Sequence, residues 1–109
     1  MPNVYVPQVP SRMKSGIWVP QVDISAARKF GDVIELLPPE ASRLHVAPLI
    51  SVIREKMKNY TSDDYIVALG DPSIIAIVAC FAYANAGSTL RILKWDRQTG
   101  DYIPVEARL

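Results

Sequence analysis

Few side chains in this 109-residue chain are suited to chemistry, and their spacing limits what they can do. The best placed is Asp71, in Gly70-Asp71-Pro72. This triplet follows the apolar run Tyr65-Ile66-Val67-Ala68-Leu69 and precedes a second apolar stretch. In parallel sheets, ligands sit beyond the carboxyl ends of strands, beside helix N-termini. There Asp71 would bind a metal ion or a ribose hydroxyl. It would equally cap the following helix and do nothing else, a role worth about 1 kcal/mol that by itself explains an Asp. No phosphate loop of the G-x-G-x-x-G or G-x-x-x-x-G-K-S/T kind accompanies it. Asp63 and Asp64 fall at the opposite end of the same strand and cannot join it.

The single Cys and the single His add little. Cys80 stands among Ile, Val, Ala and Phe, where a thiol is expected to be a small core hydrophobe; a reactive thiolate needs a polar, electropositive setting. His45 lies between Leu44 and Val46 with no sequence partner that would make it a base. One Cys forms no intramolecular disulfide, and one Cys with one His forms no structural zinc site. No catalytic residue, metal or cofactor is therefore assigned, and the poverty of catalytic types argues against an enzyme.

Two clusters suit binding instead. Arg91, Lys94, Trp95, Arg97 and Tyr102 gather charge and aromatic surface on one stretch, the combination that holds single-stranded nucleic acid. The alternative is that Trp95 and Tyr102 form a cross-strand pair, with the charges protecting an edge from aggregation. In the Pro-rich first part, Val-Pro-Gln-Val occurs at residues 6–9 and again at 19–22. The repeat is either coincidental or the two sides of a projecting arm over residues 8–22, with residues 11–16 as an irregular loop. Such an arm carries Ile17 and Trp18, anchors for a partner or for a second copy of the chain.

The elements that position these residues follow from punctuation. Seven of nine prolines lie in residues 1–48, so that part is extended or turn-rich and the regular core lies beyond it. Residues 1–31 form the Pro-rich segment and 32–109 the α/β core of a single domain. Residues 32–37 read as a strand stopped by Pro38-Pro39. From Ala47-Pro48 a helix places Leu49, Ile50, Ile53, Met57 and Tyr60 on one face. The short unbroken run at 65–69 marks a strand buried on both faces. A second helix, about 73–86, has Asp as N-cap, Pro at its first position and Gly87 beyond its end. It is apolar nearly all round and needs burial on more than one side. Residues 89–95 and 101–106 form a terminal hairpin, with Pro104 requiring an edge. The fold expected is α/β: a small mixed sheet of about 4–6 strands with a parallel centre, two main helices and a C-terminal β-hairpin. The strand near residues 3–6 adds to one side or the other.

Charge excludes more than it suggests. Twelve basic and 11 acidic side chains give +1, spread evenly along the chain, so no bulk positive field attracts polyanions. The start lacks the basic and apolar regions of a signal peptide. Residues 72–90 carry no charge, but the continuous apolar part, 74–84, is too short to span a membrane. The expectation is a soluble protein of a reducing compartment, without membrane contact.

From Asp63 to Val105 the sequence resembles small proteins encoded by tailed bacteriophages, in the order Asp63-Asp64-Tyr65, Gly70-Asp71-Pro72 and Lys94-Trp95-Asp96. The Pro-rich segment 7–22 lies outside the resemblance. It implies a phage accessory protein in the host cytoplasm and transfers no functional residue. Together these readings favour a non-enzymatic homodimer that binds a host or phage macromolecule. The alternatives are a nucleic-acid binder using the terminal hairpin and a small nucleotide- or metal-binding enzyme with Asp71 at the strand end.

Overall fold

A computed structural model describes residues 1–41, 45–87 and 89–109. Among the described residues there are seven strands: β1 Asn3–Gln8, β2 Ser11–Lys14, β3 Ile17–Pro20, β4 Asp32–Leu37, β5 Tyr65–Val67, β6 Thr89–Asp96 and β7 Asp101–Arg108. Five of them form one sheet, in the order β4-β1-β5-β6-β7, and β2 and β3 pair only with each other. The first four in that order run parallel and β7 returns antiparallel to β6. Helices α1, Ile50–Met57, and α2, Pro72–Ala86, accompany a short 3-10 helix over Ser25–Phe30. This is the expected small α/β sheet with a parallel centre, two main helices and a terminal hairpin.

The first strand does not flank the centre but occupies it. β1 pairs with β4 on one side and β5 on the other. Its residues explain this: Val4, Tyr5 and Val6 are all buried, so both faces of the strand are covered. Asp64, just before β5, fixes the position by accepting the Asn3 backbone N–H at 2.8 Å. Alternate residues of a strand turn their amides the same way, so Pro7 aims its missing donor toward β5. No ladder is lost there, because β5 ends at Val67, where the Leu69 N–H turns back to the Val67 carbonyl. Pro104 sits in β7, the other end of the sheet, as an edge proline should.

Each face of the sheet buries its own core. Tyr5, Leu36, Ile66 and Leu90 meet Ile53 and Met57 of α1 and Ile74, Val78 and Ala82 of α2. On the opposite face Val4, Val6, Val67, Leu93 and Tyr102 pack under Ala27 of the 3-10 helix. Lys29 of that helix forms an ion pair with Asp101 of β7. Close packing there also constrains the chain: a Cβ at Gly31 would stand 2.1 Å from the Pro2 carbonyl oxygen.

Helix α2, expected to need burial on more than one side, is covered by the sheet and by α1 and is exposed on its outer side. Ile74, Val78 and Ala82, four residues apart, face the sheet and are fully buried. Ala76, Cys80 and Ala84 repeat the same spacing on the outer side and are exposed. At about 100° per residue, Cys80 stands roughly 200° round from Val78. Cys80 is therefore a surface thiol and not a core residue. α1 covers one flank of α2, with the Arg54 guanidinium over the Phe81 ring and the Asn85 side-chain N–H donated to the Met57 carbonyl at 2.8 Å. Among the described residues no helix is long and apolar enough to cross a membrane.

Candidate interaction surfaces

The Pro-rich segment folds as an arm. β2 and β3 are joined by Ser15-Gly16, both at positive φ, 52° and 79°. Two left-handed residues make the tight turn whose twist suits a hairpin. The strands thus begin at Ser11, and the loop expected over residues 11–16 shrinks to two residues. All four residues of β3 are exposed, as are Arg12, Met13 and Lys14 of β2. Ile17 is 66% exposed and Trp18 38%. Trp18 stands opposite Met13, and Ile17 opposite Lys14.

A cleft lies at the base of the arm. The chain leaves β1 for β4 through the arm and the 3-10 helix, then crosses to β5 and β6 through α1 and α2 on the other face. Where the direction of travel reverses, parallel sheets leave a crevice at the strand carboxyl ends. Here it has about 760 Å³ and is walled by Gln8, Trp18, Glu40, Gly70 and Asp71 among others. Trp18 and Asp71, separated by 53 positions in sequence, face one space. The Gln8 side-chain amide, itself buried, donates to the Pro38 and Ala41 carbonyls and so holds that rim. Asp71 caps α2: its carboxylate accepts the Ser73 backbone N–H at 3.0 Å and the Ser73 hydroxyl. Asp63 and Asp64 lie at the far end of β5, beside Asn3 and Arg91. Among the described residues no three His, Cys, Asp or Glu side chains stand together as a metal site would require. His45 is exposed.

The residues of the terminal hairpin divide instead of converging. Trp95 and Tyr102 form the cross-strand pair, rings edge-on with centroids 5.0 Å apart. Tyr102 is buried, which pushes its phenol pKa upward. Arg91 lies on the same face, with its guanidinium over the Tyr65 ring, donating to the Asp63 carbonyl and the Tyr65 hydroxyl. Lys94 is an odd number of positions from both Arg91 and Trp95 along β6 and so points to the opposite face. Arg97 sits in the turn. The stretch is a folded hairpin with its aromatics mostly spent on packing.

On the outer side of α2, Ile50, Ala76, Ile77, Cys80, Phe81 and Ala84 line a shallow groove that is almost wholly apolar. Tyr83 is 43% exposed beside it. Composition pointed to this helix, but only its one-sided burial, set by the sheet and α1, selects which residues face out.

Fold and surfaces together define a small parallel-centred α/β domain bearing a hairpin arm, a cleft at the arm's base and an uncovered helix. The chain belongs to the phage Pam3 gp32-like protein family, whose model matches residues 2–109. The match takes in the Pro-rich arm as well as the segment 63–105 whose motifs resemble phage proteins. No curated protein and no solved structure matches the chain.

Proposed function

We propose that this phage protein is a non-enzymatic accessory factor of the host cytoplasm, a homodimeric interaction module that takes a host or phage macromolecule on the outer face of α2. The observation that carries this reading is the exposed run Ala76, Cys80, Ala84 and Tyr83 on a helix with no charged side chain. Exposed apolar surface of this kind marks interaction sites, since burying it returns roughly 25 cal/mol per Å². Small side chains at four-residue spacing let a partner approach closely.

Capture from infected and uninfected host lysates, with and without nuclease, tests it. A protein retained by the natural chain and lost from Ala76→Glu and Ala84→Glu supports the reading. Both positions are exposed, so neither substitution disturbs the core. Retention by both variants removes α2 from the interface. Loss of the partner on nuclease treatment would favour nucleic acid instead.

A further inference from the structure

We infer that the arm of one copy pairs with the open edge of β4 in a second copy, and that reciprocal exchange closes a two-fold dimer. This rests on the self-association proposed above and names the surfaces that produce it.

β4 ends the sheet, and among the described residues no strand pairs with its outer side. The Asp32 N–H bonds to the Pro2 carbonyl at 3.0 Å, so even-numbered residues of β4 face β1. Val33 and Glu35 consequently turn their amides outward; the alternation ends there, since Leu36 and Leu37 are both buried in one core and Lys56 of α1 donates to the Leu36 carbonyl at 2.9 Å. No proline interrupts Asp32–Leu37, so this edge can accept another strand.

The arm has a strand to offer. In a two-residue hairpin the pair beside the turn, Lys14 and Ile17, exchanges hydrogen bonds, and so does Arg12 with Val19. The Gln21 N–H continues that alternation to the Pro10 carbonyl at 2.6 Å. The outer edge of β3 then carries Pro20, which has no donor, whereas the outer edge of β2 carries the amides of Ser11 and Met13. An isolated two-stranded hairpin is marginal in water, and this one pairs with no other strand among the described residues.

Charge selects the pairing. β2 carries Arg12 and Lys14 and no acid; β4 carries Asp32 and Glu35 and no base; all four side chains are exposed. Arm on arm sets cations against cations, and β4 on β4 sets carboxylates against carboxylates. Arm on β4 opposes unlike charges across neighbouring strands: Arg12 and Lys14 share one face of β2 and meet either Asp32 or Glu35, which lie three positions apart and so on opposite faces of β4. Each copy has one arm and one β4 edge, the other end of the sheet being β7 with Pro104 in it, so exchange between two copies satisfies both and closes.

Light scattering on the full chain at micromolar concentration reads the outcome. The natural chain is expected at twice its 12.1 kDa mass. Arg12→Glu/Lys14→Glu and Asp32→Lys/Glu35→Lys should each run at the monomer mass with unchanged circular dichroism. Mixed one to one, they should recover the dimer, because each arm then meets an edge of opposite sign. A monomeric natural chain overturns both this inference and the homodimer. A dimer that persists in both variants, or monomers that stay apart on mixing, overturns the arm exchange and leaves self-association to another face.

Discussion

Replacing Asp64 by Ala should cost about 2–4 kcal/mol of stability. The side chain is 4% exposed. One carboxylate oxygen accepts the Asn3 N–H at 2.8 Å; the other accepts the Thr61 N–H at 2.9 Å and the Thr61 hydroxyl at 3.3 Å. It thereby ties the start of β1 to the turn before β5. Ala removes the acceptor for two backbone donors. Each bond to a charged acceptor is worth roughly 1.5–3 kcal/mol, and an orphaned buried donor costs about 1–3. The open depression beside Asn3, Thr61 and Arg91 admits water to part of this cluster, which places the sum toward the lower end. Against a total of about 5–15 kcal/mol for a domain of this size, the loss is a large fraction. Urea unfolding at fixed protein concentration should show the midpoint falling with the slope unchanged. Asp64→Asn should fall between the two, because its amide keeps one acceptor and sets a donor against a donor. A loss below about 0.5 kcal/mol for Asp64→Ala would refute the reasoning, since β1 would then hold its central position without this tie.

Other outcomes follow from single groups. Asp71→Ala should lose about 1 kcal/mol in thermal unfolding and Asp71→Asn almost nothing, because Asn caps as well as Asp; equal losses would mean that the charge matters beyond the cap. Tyr60 has its phenol pKa raised to about 12, chiefly by burial and then by the Asp64 charge. A raised folded-state pKa means that the folded chain keeps a proton the unfolded chain gives up. Its contribution is therefore whole below pH 10 and is lost as pH climbs toward 12, and Tyr60→Phe should flatten that part of a melting-temperature profile. The buried Tyr102 hydroxyl has no hydrogen-bond partner among the described residues, so Tyr102→Phe should be neutral or stabilising by up to about 1 kcal/mol in urea unfolding.

The elements were legible where local chemistry decides them. Asp71, Pro72 and Gly87 bracket α2 as capping rules require, and Pro104 announced an edge strand. The central place of β1 was not legible. It depends on Asp64 reaching Asn3 across 61 positions, and no local pattern encodes that contact. The exposure of Cys80 was hidden for a related reason. Outer and inner positions of α2 are both apolar, so the periodicity that normally reveals the buried face is absent.

The candidate surfaces divide along the same line. Residue types grouped Arg91, Lys94, Trp95, Arg97 and Tyr102 because they are close in sequence, yet the two-residue period of a strand sends Lys94 away from Arg91 and Trp95 and leaves Arg97 in the turn. Trp18 and Asp71 looked unrelated, yet the reversal of strand order at β1 places both on one cleft. The arm was one of two readings that the repeated Val-Pro-Gln-Val allowed, and the hairpin of β2 and β3 turning at Ser15-Gly16 decides between them. The charge match proposed for the arm was not legible, because Asp32 and Glu35 become candidates to oppose Arg12 and Lys14 only once β4 is known to be an edge strand. A strand edge is a property of the sheet order, and the sheet order here follows from where β1 inserts. The sheet order that centres β1 also leaves β4 at the edge, so if the proposed arm exchange holds, loss of the Asp64 tie should weaken self-association as well as folding.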